Sequence, residues 1–411
     1  MAVPMARLMS RIVRARKEGV RRTLAELTIR LSVILLGIAL LPLSLIGHAL
    51  GFRQVTFITQ RIGHLAAEPD SFLKARLLGE LPDRRWFFLA PPGSVANEHL
   101  LSYWLRWLPA VRNPLACYLL SAMSALGLMR FNAGRFVLWL NHSQEIYRLN
   151  TAWSAKPPLL ALNDDDRAWS DQMFRAIGLP LGAWYACIHV REGAFSPDDE
   201  DAHSHRNGSI EALLPAVEKI VSLGGWCVRM GDLTSTQLPP MHGVIDYAHH
   251  PLRQPRLDVC LCARAKFFLG NTSGIALVST VFGVPSALAN MVPVTCLGVL
   301  SSDISIFKLH RRKLDAKILR FDEVFGTPAA NFRYAHQFFQ HGVDLQENSA
   351  DEILELVVEM LARVEGRFVG ADEGERLQAK FKSLLQPGDY GYYARSRVGA
   401  AFLRRHADLL V

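Results

Sequence analysis

The sequence predicts an α/β fold built on parallel sheets, with room for two domains, behind a basic and apolar N-terminal segment. Three observations carry this. From Val55 onward, short apolar strands alternate with helical spacing, and polar residues collect where the strands end. The chain has 411 residues, half of them apolar, which is long for one α/β domain and comfortable for two. Leu31 to Phe52 contains no Asp, Glu, Lys or Arg.

The N-terminal segment comes first. The formal net charge of +8 is uneven. Arg7, Arg11, Arg14, Arg16, Lys17, Arg21, Arg22 and Arg30 stand against Glu18 and Glu26, and the rest is near neutral. An apolar run follows this arm at once, so anionic lipid suits it better than nucleic acid. Leu31–Phe52 is about as long as a bilayer is thick. The basic region ahead of it is too long for a cleaved signal peptide, and no small-residue cleavage site follows. Pro42 can kink or break a helix there. The expectation is a membrane anchor over residues 31–52, either spanning or re-entrant. A second candidate lipid contact covers 100–131, where Tyr103, Trp104, Trp107 and Tyr118 mix with Arg106, Arg112 and Arg130. Burial against the rest of the protein is an equal alternative for that stretch. The basic arm argues for a cytoplasmic N-terminus. The expected location is the inner membrane, with the folded domains on its cytoplasmic face.

The elements then follow in order. Val55–Thr59 reads as a strand, followed by a helix through Leu78. Arg85–Ala90 is the next strand, stopped by Pro91-Pro92-Gly93, and a helix starts at Asn97. Phe136–Leu140 reads as a further strand. Asn163 and Asp164-Asp165-Asp166 start a helix to Ile177. Trp184–Val190 is an apolar strand, with a polar loop from Gly193 to Gly208 after it. Ser209–Leu223 has helical spacing, stopped by Gly224-Gly225. Strands follow at Trp226–Met230, Val244–Tyr247, Lys266–Leu269 and Pro285–Ala289, with helices at Leu257–Arg264 and from Gly274 to Phe282. Ser349-Ala-Asp-Glu352 is a capping box for a helix to Val364. Arg376–Leu385 and Ser396–Leu410 read as closing helices. The expected units are the arm and anchor (1–54), a first α/β domain (55–180), a second α/β domain (181–330) and closing helices (331–411).

Four polar stations fall at the carboxyl ends of strands or just beyond, where open α/β sheets bind ligands. His189-Val-Arg191-Glu192 supplies a guanidinium that can clamp a diphosphate. His203-Ser-His205-Arg206-Asn207 adds a second cation. Arg229-Met-Gly231-Asp232 adds a third, with a carboxylate. Gly270-Asn271-Thr272-Ser273-Gly274 lets backbone approach an anion at a helix start, although Ser273 there is equally read as a simple N-cap. Together the stations suit a nucleoside diphosphate. His64 and Glu68, at the first strand–helix junction, are candidate general bases, and Glu192 is a third catalytic candidate.

Other chemistries are weaker. Asp164-Asp165-Asp166 contains a D-x-D pattern, but acidic residues belong at a helix start without any metal. His189, His203 and His205 beside Asp198–Asp201 read more simply as a solvated loop than as a metal site. No metal and no cofactor beyond the sugar-nucleotide substrate is expected. The six cysteines form no C-x-x-C pair and mostly sit in apolar stretches, as buried thiols of a reducing compartment do. No nucleophile elbow, P-loop or dinucleotide fingerprint stands out.

These motifs also resemble a known group. Arg61-Ile-Gly-His64-Leu-Ala, Cys187-Ile-His-Val-Arg-Glu192, the His205-Arg206-Asn207 loop and Gly225-Trp-Cys-Val-Arg-Met-Gly-Asp232 are similar to those of a bacterial glycosyltransferase family. So are Asp246-Tyr247, Asp258, Phe268-Leu-Gly-Asn-Thr-Ser-Gly274, Phe282-Gly-Val-Pro285 and Phe402-Leu. The likeness covers Val55 to the C-terminus. More distantly, His189-x-Arg191 and the Asp258–Ser273 stretch look like the donor domain of α-1,6-fucosyltransferases. Ala194 stands where that group has an acidic residue. The resemblance implies a GT-B fold, two Rossmann-like domains facing a cleft. It implies Arg191 as the phosphate ligand without a metal, and Asp258 and Ser273 near base and phosphates. The expected partners are a nucleotide-sugar and a cell-envelope glycan or lipid-linked saccharide, with no nucleic acid. The alternatives are a pyruvyl- or phosphoryl-group transferase on the same scaffold, or a non-catalytic glycan-binding protein.

Overall fold

The computed structural model describes residue 28 and residues 31–138, 144–193 and 197–410, without the side chains of 197–199. The basic arm and Ala194 lie outside the described residues.

Two compact units emerge. The first runs to Thr56 and takes in Pro82–Val95 and Leu105–Ala133. It holds a three-stranded parallel sheet of β1 (Phe52–Gln54), β2 (Arg85–Leu89) and β3 (Ala110–Val111), in that order. The apolar run before β1 is not one helix. Leu31–Ala39 and Leu41–Ala49 are separate helices bent by 69°. Pro42 occupies the first turn of the second, where its missing N–H costs nothing and its ring blocks continuation from the first. Among the described residues, no single helix is long and apolar enough to cross a membrane.

The second unit comprises Phe57–Leu81, Ala96–Trp104 and everything from Gly134 on. Its centre is a seven-stranded sheet, parallel throughout. The strands are β4 (Tyr185–His189), β5 (Trp226–Arg229), β6 (Val244–Ile245), β7 (Phe267–Gly270), β8 (Ser286–Met291), β9 (Ile304–Phe307) and β12 (Arg397–Val398). Their spatial order is β12-β9-β8-β7-β4-β5-β6. A two-stranded antiparallel ribbon of β10 (Leu309–Arg312) and β11 (Val343–Gln346) completes the strands. Helices cover both faces. Leu214–Ser222 and Ala350–Val364 pack on each other and on the sheet, while Ala276–Val281 packs on the sheet and against Pro255–Arg264 and Ile62–Leu77. Ala186, Cys187, Ile188, Cys227, Val228, Phe267 and Phe268 are wholly buried between these layers. Strands buried on both faces read as continuous apolar runs, which is why the sequence shows them plainly.

The mixed α/β class with parallel sheets is as expected; several elements are not. The first strand is Phe52–Gln54 rather than Val55–Thr59, because the N–H of Ile58 leaves the sheet to donate to Glu68, at 2.9 Å. Phe136 sits in a 3-10 turn, Gly134–Phe136, rather than a strand; residues 139 and 140 lie outside the described set. The loop after β4 contains a helix, Pro197–His203, and a 3-10 turn, Ser204–Arg206. Pro215 divides the segment after Ser209 into a 3-10 turn and a helix from Leu214. Ser396–Leu410 is not one helix: Arg397–Val398 adds β12 to the sheet edge before Ala400–Arg405 turns helical.

Candidate functional site

The strand order reverses between β4 and β7. From β4 the chain winds outward to β5 and β6, then returns to β7 and winds the other way. Loops leaving β4 and β7 therefore diverge, and the crevice at their carboxyl ends is where such sheets bind ligands. His189 and Gly270 are register partners at that point.

Three of the four stations meet there in one hydrogen-bonded web. Asn271, buried, accepts from the Arg191 N–H at 3.0 Å and donates to the Arg206 carbonyl at 3.0 Å. Arg206 returns its guanidinium to the Thr272 carbonyl through Nε at 3.1 Å and Nη2 at 2.6 Å. The Thr272 hydroxyl donates to the Val292 carbonyl and accepts the Val292 N–H, tying the turn to the end of β8. Gly208 closes the web by donating to the Arg191 carbonyl, at 3.1 Å. Its Cα lies so close to Asn290, Val190 and Asn271 that a Cβ would meet all three within 3.4 Å.

Arg191 is oriented within this web. Its Nη1 donates to Asn207 and, at 3.4 Å, to Glu200, and Asn207 also donates to Glu200. The Nε–Nη2 edge makes no hydrogen bond among the described residues, and the side chain is 15% exposed. Such an edge offers two parallel N–H donors, the geometry that phosphate takes. Lys308, just past β9, adds a buried ammonium that donates to the Asn207 carbonyl and pairs with Glu347. Burial pushes its pKa down. His205, among these cations, is pushed to about 3 by burial and then by Arg206, and its ring packs on Phe338. The Ser273 hydroxyl makes no hydrogen bond among the described residues, so it does not act as an N-cap.

The fourth station is organised differently. Arg229 is wholly buried, and Glu192 takes its Nη2 at 2.8 Å while Asp246 lies 3.5 Å from Nη1. Glu192 also accepts the Thr236 N–H at 3.0 Å. Arg229 is thus neutralised inside the fold by a partly exposed Glu192, which leaves the guanidinium no free face for a ligand. His189 faces the Met230 carbonyl through Nδ1 at 3.0 Å, so Nδ1 carries the proton; burial depresses its pKa to about 4. Gly231 follows, packed so tightly that a Cβ would meet Ser235 Oγ at 2.7 Å. Asp232 folds its own turn, accepting from the Thr234 N–H and hydroxyl. Asp258 accepts from the Tyr247 hydroxyl at 2.9 Å and stays outside the Arg191 web; burial raises its pKa.

His64 joins the site through backbone packing. A Cβ on Gly63 would lie 2.7 Å from Gly274 Cα, so the amino end of helix Ile62–Leu77 rests directly on the turn after β7. The Arg61 side chain makes no capping bond at that end, and the first N–H groups of a helix have no intrahelical acceptor. His64 Nδ1 donates to Glu68 Oε1 at 2.6 Å. Glu68 is wholly buried and also accepts from Ile58 and Leu138. The carboxylate fixes the tautomer, leaving the Nε2 lone pair on the more exposed ring. The two candidate bases are therefore one device: Glu68 positions and His64 presents.

The D-x-D segment is an ion-paired helix start. Asn163 caps it, and buried Asp166 takes Arg256 Nε at 2.7 Å, His99 at 3.0 Å and the Tyr103 hydroxyl. His99, Asp166 and Cys260 lie close enough together to hold an ion, but a cation there would have to displace Arg256. Five of the six cysteines are buried.

Sequence reading missed Lys308, Glu200 and the meaning of Gly63. Lys308 had a usable signal, a lysine ending the apolar run Ile304–Phe307 in the same strand-end pattern as Arg191. Glu200 reaches Arg191 only through a helix hidden in a polar loop.

No family model matches the chain, and no curated protein does. Among solved structures it is similar to the glycosyl transferase family 9 protein from Veillonella parvula DSM 2008, at 12% identity and a TM-score of 0.25 over 54% of this chain. The match spans 61% of that protein, so it leaves a large part of it unmatched. A likeness so slight carries no argument, and the functional reading rests on the geometry.

Proposed function

We propose that the chain is a metal-independent glycosyltransferase that uses a nucleotide-sugar donor. On this reading its fold is of the GT-B kind, and its acceptor is a cell-envelope glycan or lipid-linked saccharide at the cytoplasmic face of the inner membrane. One observation carries the proposal. At the strand-order reversal, an arginine whose two-donor edge has no partner among the described residues and a carboxylate-backed imidazole belong to one packed junction, joined where Gly63 meets Gly274.

That pairing suits one reaction. The diphosphate lies against the Nε–Nη2 edge of Arg191, the Ser273 hydroxyl and the amino end of helix Ile62–Leu77. His64 Nε2 takes the proton from the acceptor hydroxyl as its oxygen attacks the anomeric carbon. The bond from that carbon to the β-phosphate oxygen breaks, and the nucleoside diphosphate leaves with the electron pair. Arg191 neutralises the charge that develops on it. Buried Arg229 and Glu192 form the floor of the neighbouring strand end.

A thermal-shift panel with UDP, GDP, CDP and CMP tests the reading. One diphosphate should raise the unfolding temperature of the parent and leave Arg191→Ala unmoved. A chain indifferent to all four would refute donor binding.

A further inference from the structure

The first unit is built inside out. Along helix Leu31–Ala39, the large apolar residues facing solvent are Leu31, Ile34, Leu35 and Ile38, spaced i, i+3, i+4, i+7, with small Ser32 and Ala39 also exposed. That spacing is the stripe a soluble helix buries. Here the buried position is Gly37, whose Cα sits against the Ala122 carbonyl of helix Pro114–Ala125; a Cβ would lie 2.6 Å away. The next helix repeats the pattern. Leu43, Leu45, Ile46 and the capping Leu50 are more than half exposed, while Ser44 is wholly buried and turns its hydroxyl back to the Leu40 carbonyl. Small residues inside and large aliphatic ones outside is the arrangement of helices in a lipid environment. Helix Pro114–Ala125 extends the same apolar surface with Leu115, 67% exposed. Of the second lipid contact expected over 100–131, helix Pro114–Ala125 joins this surface, while Tyr103 and Trp104 are buried in the second unit.

The charge of this unit identifies what covers it. Its described residues hold six arginines against one acidic residue, Asp83. The arm preceding it holds eight cationic residues against two acidic ones. Together they exceed the whole-chain excess of +8, so the rest of the protein is net negative. Three of the arginines cluster at the base of helix Leu41–Ala49. Arg53 bonds to the His48 and Phe52 carbonyls, Arg84 packs beside Gly51, and Arg85 lies over the Phe52 ring. None of the three pairs with a carboxylate among the described residues. Desolvation and then the nearby charge of Arg84 depress the pKa of Arg53. An apolar face rimmed by unneutralised cations complements an anionic lipid surface.

We propose that the bent pair Leu31–Ala39 and Leu41–Ala49, with helix Pro114–Ala125, is a wedge that inserts into one leaflet of an anionic bilayer. The second limb, nine residues long, reaches about 14 Å, roughly half the hydrocarbon thickness, and the 69° bend sets it off the line of the first. The arginines at its base lie at headgroup depth. This inference is independent of the reaction proposed above.

Flotation of the full chain with vesicles tests it. The parent should float with phosphatidylcholine vesicles containing phosphatidylglycerol, and much less with phosphatidylcholine alone. The double variant I34E/I38E places carboxylates on the outer stripe and should stay in the dense fraction, with the parent's circular dichroism. R53Q/R84Q should weaken binding to anionic vesicles about fivefold for each charge removed, and added salt should act in the same direction. A parent that ignores anionic vesicles would overturn the proposal, as would an I34E/I38E variant that floats like the parent. A dimer converted to monomer by I34E/I38E, with no vesicle binding by either, would also overturn it and make the face a self-association surface.

Discussion

Replacing Gly63 by alanine probes the junction on which the functional reading depends. The added Cβ would lie 2.7 Å from Gly274 Cα and 3.2 Å from its carbonyl oxygen. Comfortable carbon–carbon contact needs about 3.5 Å or more, so the two backbones must part by roughly 0.8 Å. Both contacts are backbone, and neither can swing aside as a side chain would. Overpacking of this kind costs about 1–3 kcal/mol. Alanine returns up to about 1 kcal/mol as the better helix former, so the net loss should be near 1–2 kcal/mol. On an exposed helix the same change would stabilise, which gives the prediction its sign. Parting the backbones also moves His64 away from the turn that carries Ser273. A displacement near 1 Å lowers turnover by about a hundredfold. Urea unfolding measures the first effect and initial transfer rates the second. Gly274→Ala should act alike, because its Cβ would lie 2.9 Å from Gly63 N. The double variant should cost less than the sum, since one parting relieves both clashes. If Gly63→Ala were as stable as the parent with an unchanged rate, the packing and the shared site would both be refuted.

The other predictions follow from single contacts. Glu68→Gln keeps one of the two oxygens that accept from Ile58 and Leu138 and removes the carboxylate charge behind His64. Turnover should fall by about 10²–10⁴ while KM for the donor holds, and steady-state kinetics would show the split. Arg229→Met takes the buried cation from partly exposed Glu192 and Asp246 and should cost about 1–3 kcal/mol in denaturant titration. Adding Glu192→Gln should recover part of that loss. His310, buried, has its pKa pushed down by desolvation to about 4. Its folded state therefore favours the neutral ring, and the stability linked to it is complete above the ordinary value near 6.5. That stability falls by about 1.4 kcal/mol per pH unit between there and 4. The urea midpoint should drop from pH 7 to pH 5, and less steeply in His310→Gln.

Much of the second unit was legible because its strands are buried on both faces. Continuous apolar runs such as Tyr185–His189 and Phe267–Gly270 announce themselves, and glycines mark their ends. The site was legible in part for the same reason, since Arg191 and Asn271 directly follow such runs, whereas Arg206 lies in the polar loop beyond. Roles were harder to read. Arg191 and Arg229 look equivalent in sequence, yet one keeps an unused donor edge while the other is sealed between two carboxylates. That difference is set by Glu192 and Asp246, brought together only by the sheet. The contact between Gly63 and Gly274 spans more than 200 residues and has no local pattern. The short strands β10, β11 and β12 lacked the apolar run that betrays a central strand.

Calorimetric titration of nucleoside diphosphates into the parent and into Arg191→Ala tests the central claim most directly. One diphosphate should bind the parent, and its monophosphate should bind more weakly. Loss of the two charge-assisted bonds at Nε and Nη2 should weaken the diphosphate by at least about tenfold in Arg191→Ala, with urea unfolding unchanged. Equal affinity in the two proteins, or no nucleotide binding in either, would contradict a donor site at the reversal of β4 and β7.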